Sequence, residues 1–309
     1  MKIGFIKTEI PGCKDVKLKK IESVFKTLKD CLNLYILELL FTINQFKMKV
    51  KIFSTLLFMI ASFAYSQNYY MYDFRNVPSD EMSVMMENEE HFWSKVAQDQ
   101  IKKGNMTGWA MLERMGGSAD EPNILFYIGA GSKKNIDQLG ASFGEGSQNV
   151  MSQMGEDATV FINRALNIDS RRVGQVILNR THTEFDTDWD HHNYVKTNFS
   201  KVTDMNKMNE LQGKVWGKYI KKMMAKDETS QKLWSASNVV SPMGSGYNWN
   251  YLTIDTYMTY SDALDGGWKN SPKIPNLSEI NSLMGGQFYK QVMWKVVMSV
   301  NSKGEFKKH

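Results

Sequence analysis

The same order of strand-like and helix-like segments occurs twice in this chain, about 124 residues apart, and no other sequence feature narrows the possible folds as much. In the first copy "YYMYDFRNV" (69–77) reads as a strand and Glu81 to about Lys103 as a helix. Next come the strands "GWAMLERM" (108–115) and "NILFYIGA" (123–130), a polar helical segment from Lys133 to Gly140, an insertion, and the strand "RRVGQVILNRTHTEF" (171–185). The second copy runs "NYVKTNFSKV" (193–202), a helix from about Asp204 to Lys226, "QKLWSASNVV" (231–240) and "YNWNYLTIDTYM" (247–258). A short helix from Ser261 to Leu264 and the strand "FYKQVMWKVVMSV" (288–300) complete it. Each half reads β-α-β-β-α-β, with the first over residues 67–185, a linker over 186–192 and the second over 193–309.

Matching residues align the copies. "FWSK", with Trp93 and Lys95, answers "VWGK", with Trp216 and Lys218, at the same helical position, and Trp109 and Trp234 both sit in the next strand. Both long helices carry an apolar stripe, Met82, Met85, Met86, Trp93, Val96, Ala97 and Ile101 in one, Met205, Met208, Val215, Trp216, Tyr219, Ile220 and Met223 in the other. Such a stripe needs a sheet to cover it. The strand Ile124–Ile128 is apolar on both faces, so its far face needs a second cover, which the other half can supply. A β-α-β-β-α-β unit is the ferredoxin-like split βαβ. Two in one chain resemble the fused dimeric α+β barrel superfamily, an α+β class in which two four-stranded sheets pair across a pseudo-twofold axis. The resemblance covers about residues 69 to 300 and rests on element order. It implies a chemistry drawn from a wide range: antibiotic-biosynthesis-type monooxygenases, haem-degrading and haem-dependent enzymes, small isomerases and stress-response proteins.

Ahead of the repeats, "MKVKIFSTLLFMIASFAYSQ" begins at Met48 and has the parts of a signal peptide. Lys49 and Lys51 are positive, Phe53–Phe63 is apolar but too short to span a bilayer, and Ala64-Tyr65-Ser66 places small residues at a cleavage site before Gln67. Residues 48–66 are thus expected to direct export to a periplasmic or secreted location, with no stable membrane anchor after cleavage. Residues 1–47 read as an over-extended start, with translation beginning at Met48; the other reading is a genuine extension forming a membrane-associated hairpin. The front also biases the bulk properties. Residues 1 to 66 hold 11 Lys and Arg against 5 Asp and Glu, so the chain's net charge of +5 becomes −1 over the rest. That removes the electrostatic support for nucleic-acid binding. Both cysteines, Cys13 and Cys31, lie in the front, so the 243 residues from Gln67 hold no disulfide and no thiolate ligand. They are enough for a substantial core.

Candidate chemistry is sparse. Glu89 lies on the first stripe four residues before Trp93, as Gln212 lies before Trp216. A carboxyl facing a barrel interior acquires a raised pKa and can serve as acid or base; the plainer reading, preferred here, has both residues at the stripe's edge, bonded to a strand or to water. In "THTEFDTDWDHH" (181–192) period two puts His182, Glu184, Asp186, Asp188 and Asp190 on one face, a set able to hold calcium, manganese or zinc. It lacks the glycine and later glutamate of a calcium loop, and an acidic linker explains it without a metal. Trp93, Trp109, Gln212, Trp216, Trp234 and Trp249 are the candidates for lining an apolar ligand cavity, against the plainer reading of ordinary core. "GAGSKK" (129–134) matches no nucleotide fingerprint, and no nucleophile triad assembles. The expectation is an exported protein whose barrel cavity takes a small apolar molecule or which mediates assembly, as a monomer or a homo-oligomer. The alternative, carried by the resemblance, is a monooxygenase-like or haem-interacting enzyme.

Overall fold

The computed structural model describes residues 68–185, 192–244 and 246–309. The expectations placed on residues 1–66, on Asp186, Asp188 and Asp190 and on most of the linker lie outside the described residues. The first half begins with β1 (Asn68–Asn76) and helix α1, which is α-helical over Met82–Asn88 and Ser94–Lys102 with a π-helical turn, Glu89–Trp93, between them. It continues through β2 (Gly108–Arg114), β3 (Ile124–Gly131), α2 (Lys133–Met154), α3 (Asp157–Asn167) and β4 (Arg171–Phe185). The second half has β5 (Tyr194–Ser200) and α4, α-helical over Met205–Leu211 and Lys218–Ala225 around the π-helical turn Gln212–Gly217. After it come β6 (Leu233–Ser241), β7 (Tyr251–Tyr257), α5 (Tyr260–Asp265), α6 (Ser278–Leu283), β8 (Lys290–Val300) and β9 (Phe306–Lys308). Among the described residues no helix is long and apolar enough to cross a membrane.

The strands pair in the order β2-β3-β1-β4-β6-β7-β5-β8, and β8 returns to β2, so eight antiparallel strands close into a barrel. Each half supplies four neighbouring strands, β2-β3-β1-β4 and β6-β7-β5-β8, and the seams β4–β6 and β8–β2 join them with the same local order. Strand alternation then decides everything about placement, since successive side chains point to opposite faces. Tyr70, Tyr72, Phe74, Leu178, Phe199, Leu252 and Trp294 point inward and form one core cluster. Met71, Asp73 and Arg75 of β1 point outward, beneath the helices, with Met111, Ile124, Phe126 and Ile128. Rings fill the barrel's middle: Tyr72 meets Phe74 at 5.9 Å, Phe74 meets Trp294 at 6.2 Å, and Phe199 meets Trp249 at 4.7 Å. Trp294 is 1% exposed and donates from Nε1 to Thr197 Oγ1 at 3.0 Å, so even its polar handle is satisfied.

Helix-to-sheet packing is alike in the two halves, but the extra helices are not. Where the sequence suggests a short helix to Gly140 and then an insertion, α2 runs for 22 residues and α3 follows it. Ser132 caps α2 by accepting from the Asn135 amide at 3.1 Å. Together α2 and α3 cover the side of α1 that the sheet does not, burying Phe92, Val96 and Val150.

Candidate functional site

Each half has a cavity between its sheet's outer face and its helices. The first, about 580 Å³, is floored by Met71, Phe126, Ile128 and Trp109 and roofed by α1 and α2, with Trp93 on one wall. The π-helical turn begins at Glu89, which lines this cavity. A π turn carries an extra residue, which shifts the side chains after it relative to a plain α-helix, and such turns are frequent at functional sites. Here it sinks Phe92 to 3% exposed and leaves Trp93 half-buried on the cavity wall.

Glu89 is 8% exposed, and among the described residues it has neither a hydrogen bond nor an ion pair. It meets neither expectation formed from the sequence: helices pack on the outside of the barrel, so it faces the cavity under α1 rather than the barrel interior, and it is not bonded to a strand or left in bulk water. Loss of water destabilises its charged form, and the Asp73 carboxylate adds to this while Arg75 opposes it; the outcome is a pKa pushed up to about 8. Beside it Asn88 donates from Nδ2 to the Phe161 carbonyl at 3.1 Å, while its Oδ1 is buried without a partner. At the rim Asp73, 3% exposed, accepts from Arg75 Nη2 at 2.9 Å and from Arg172 Nε at 3.0 Å. Two guanidiniums share one carboxylate, leaving a net positive rim around a neutral acid.

The second cavity, about 630 Å³, lies under α4 and holds Gln212, Trp216 and Trp234 at the positions that Glu89, Trp93 and Trp109 occupy in the first. The equivalence is structural: both π turns begin on these residues, at Glu89 and at Gln212. Trp249 is in neither cavity. It packs on Phe199 at one end of the barrel, lining a separate space of about 470 Å³. Of the six residues suggested as lining one cavity, two thus belong to the first site, three to its counterpart and one to the barrel end. The reason is that Trp93 and Trp109 lie under the first half's helices and Gln212, Trp216 and Trp234 under the second's, while the barrel keeps a separate inner cavity of about 290 Å³ lined by Tyr72, Leu112, Tyr127, Arg180, His192 and Ile254.

The acidic stretch is only partly within the described residues. His182 and Glu184 do share a face of β4, and that face meets α4. His182 donates from Nε2 to the Asn209 carbonyl at 2.7 Å and its ring fills the notch at Gly213, where a Cβ would lie 2.6 Å away. Glu184 pairs with Lys221 at 2.9 Å. Among the described residues no three His, Cys, Asp or Glu side chains gather as a metal site. Among the described residues neither of these two cavity linings offers an imidazole or a thiolate as an axial ligand for a haem.

Asp73, Arg75, Arg172 and the polar floor of the second cavity escaped the sequence reading. Their signal was the alternation of "YMYDFR", which sets Met71, Asp73 and Arg75 on the face opposite three aromatic rings.

A closed eight-stranded barrel made of two β-α-β-β-α-β halves is a dimeric α+β barrel, here with both halves in one polypeptide, as the repeat suggested. No family model matches the chain and no curated protein matches it. Among solved structures it is similar to an anthrone oxidase-like protein, 10% identical, covering 78% of this chain and 94% of that one at a TM-score of 0.45. It is also similar to the chlorite dismutase of Candidatus Nitrospira defluvii crystallised with imidazole, 10% identical, covering 75% and 91% at a TM-score of 0.40.

Proposed function

We propose that this protein binds a small molecule with an apolar, ring-like body and a polar end in the cavity under α1 and α2, and that Glu89 exchanges a proton with it. The observation that carries this is a buried carboxyl without a partner in a cavity walled by Trp93 and Trp109. Isolated carboxyls in apolar pockets are costly to keep, and they recur where acid–base work is done. Below about pH 8 Glu89 is protonated and donates a hydrogen bond to the ligand's polar end; above it the carboxylate is a base placed to accept a proton from an acidic O–H or C–H. The Arg75 and Arg172 rim favours a ligand that becomes anionic on losing that proton, such as a phenol passing to a phenolate. This reading is the monooxygenase-like alternative reduced to its first step, deprotonation of the substrate, and no step passes through haem. Export fits an extracytoplasmic role and is supported by the pattern at Met48–Ser66; a native N-terminus at Gln67 would bear out export from a start at Met48, and any peptide from residues 1–47 would end the reading of that start.

Titration of the protein with 2-naphthol, followed by tryptophan fluorescence, tests the site. At about pH 8.5 binding is expected to weaken about tenfold in Glu89→Gln, which cannot accept the proton, and the phenolate absorption should be stronger with the parent protein than with the variant. Equal affinity and equal spectra in both proteins would falsify the reading.

A further inference from the structure

We propose that the cavity under α4 is a second ligand site with its own chemistry, taking a neutral polyhydroxylated compound of the saccharide or polyol class. Strand register shows how far the two halves have diverged. Asp73 lies opposite Phe126 and Gln175, whereas Asn198 lies opposite Thr253 and Gln291. Glutamine is kept at one position, and the other changes are all toward neutral or hydrogen-bonding groups: Asp73 answers to Asn198, Phe126 to Thr253, Ile128 to Asp255 and Glu89 to Gln212. A floor of Asp73, Phe126 and Ile128 with an acid above it has become a floor of Asn198, Thr253 and Asp255 with an amide above it.

That floor is ordered before any ligand arrives. Gln291 donates to Asn198 Oδ1 at 2.7 Å, Asn198 donates to Asp255 Oδ2 at 2.7 Å, and Gln231 donates to Asp255 Oδ1 at 2.7 Å. Each member fixes the rotamer and polarity of the next, so the cavity presents donors and acceptors in fixed directions. Above it Gln212 is 5% exposed, and its Oε1 is buried with no hydrogen-bond partner. An orphaned acceptor in a cavity is costly to keep unless something supplies a donor. Trp216 and Trp268, both half-buried, add flat apolar faces on the same cavity. Hydroxyls that donate and accept, on a body whose C–H faces stack on indole, match this combination; a hydrocarbon ligand would strand the amides.

The site does not rest on the reading of the first cavity, and its test keeps the two apart. Full-length protein is examined by saturation-transfer NMR with maltose and with xylitol. Transfer to the C–H protons of at least one probe is expected, with about tenfold weaker binding in Gln212→Leu and no change in Glu89→Gln. Because the Leu replaces an unsatisfied amide of similar volume, the melting temperature should hold or rise; a purely structural glutamine would lower it. Trp268→Leu, outside the strands and long helices, gives an independent loss of binding if Gln212→Leu fails to fold. Absence of transfer from both probes overturns the proposal, as does binding that survives both substitutions or that 2-naphthol displaces in Glu89→Gln.

Discussion

At the scale of single residues, Glu89 sets a pH dependence whose sign is fixed. Folded, its pKa is about 8; in the unfolded chain it returns to about 4.5. Between those values the folded protein holds a proton that the unfolded chain has released, so the stability present at acid pH is lost as pH rises through about 8. The slope per group is about 1.4 kcal/mol per pH unit. Burial raises the Asp255 carboxyl as well, in the same direction. Glu89→Gln should therefore flatten, without abolishing, the decline, leaving stability near pH 4 almost unaltered and raising it at pH 9. Urea denaturation at acid, neutral and alkaline pH measures this, and parallel curves for the two proteins would exclude it. Glu89, Trp93, Gln212 and Trp216 were visible in the sequence because the repeat marked them twice. Asp73 and Asn198 were not, since strand alternation gives the face a polar residue lies on but not what covers that face.

At the scale of elements, the helical segment expected over Lys133 to Gly140 runs on to Met154 as α2. The helix runs through Gly140, Gly144 and Gly146, residues of low helix propensity. A Cβ at Gly140 would meet nothing within 4 Å, while one at Gly146 would come within 2.9 Å of Val96 Cγ1, where α2 crosses α1. Gly140→Ala should thus stabilise by about 0.5–1 kcal/mol, from helix propensity alone. Gly146→Ala should destabilise by about 1–2 kcal/mol, because the buried Val96 has no room to give and the clash exceeds the propensity gain. Thermal melts of the two single variants compare them directly, and equal shifts of one sign would contradict this packing. The π turns are the other element-scale surprise. Hydrophobic periodicity at 3.6 puts Trp93 on the buried stripe; in the structure Trp93 is half-buried on the cavity wall, and it is Phe92 that is fully buried, against α2 and α3.

At the scale of the whole molecule, neither half can cover its inner face alone. The inner cluster takes Tyr70, Phe74 and Leu178 from one half and Phe199, Leu252 and Trp294 from the other. Residues 67–185 expressed alone should therefore not behave as a monomer but elute at twice their mass or more, and mixing with 193–309 should restore the barrel. Size-exclusion chromatography with light scattering reads the outcome; a stable monomeric half would refute it. The order of elements, the duplication and the amphipathic helices were determined by the sequence alone, because periodicity and repetition are local properties that a chain carries at any distance from its folded state. Which face of each sheet is filled and which is open was decided only by the tertiary structure. Closing the barrel turns one face of each sheet inward and leaves each outer face under its own half's helices, and this places Glu89 and Gln212 in two separate cavities rather than one.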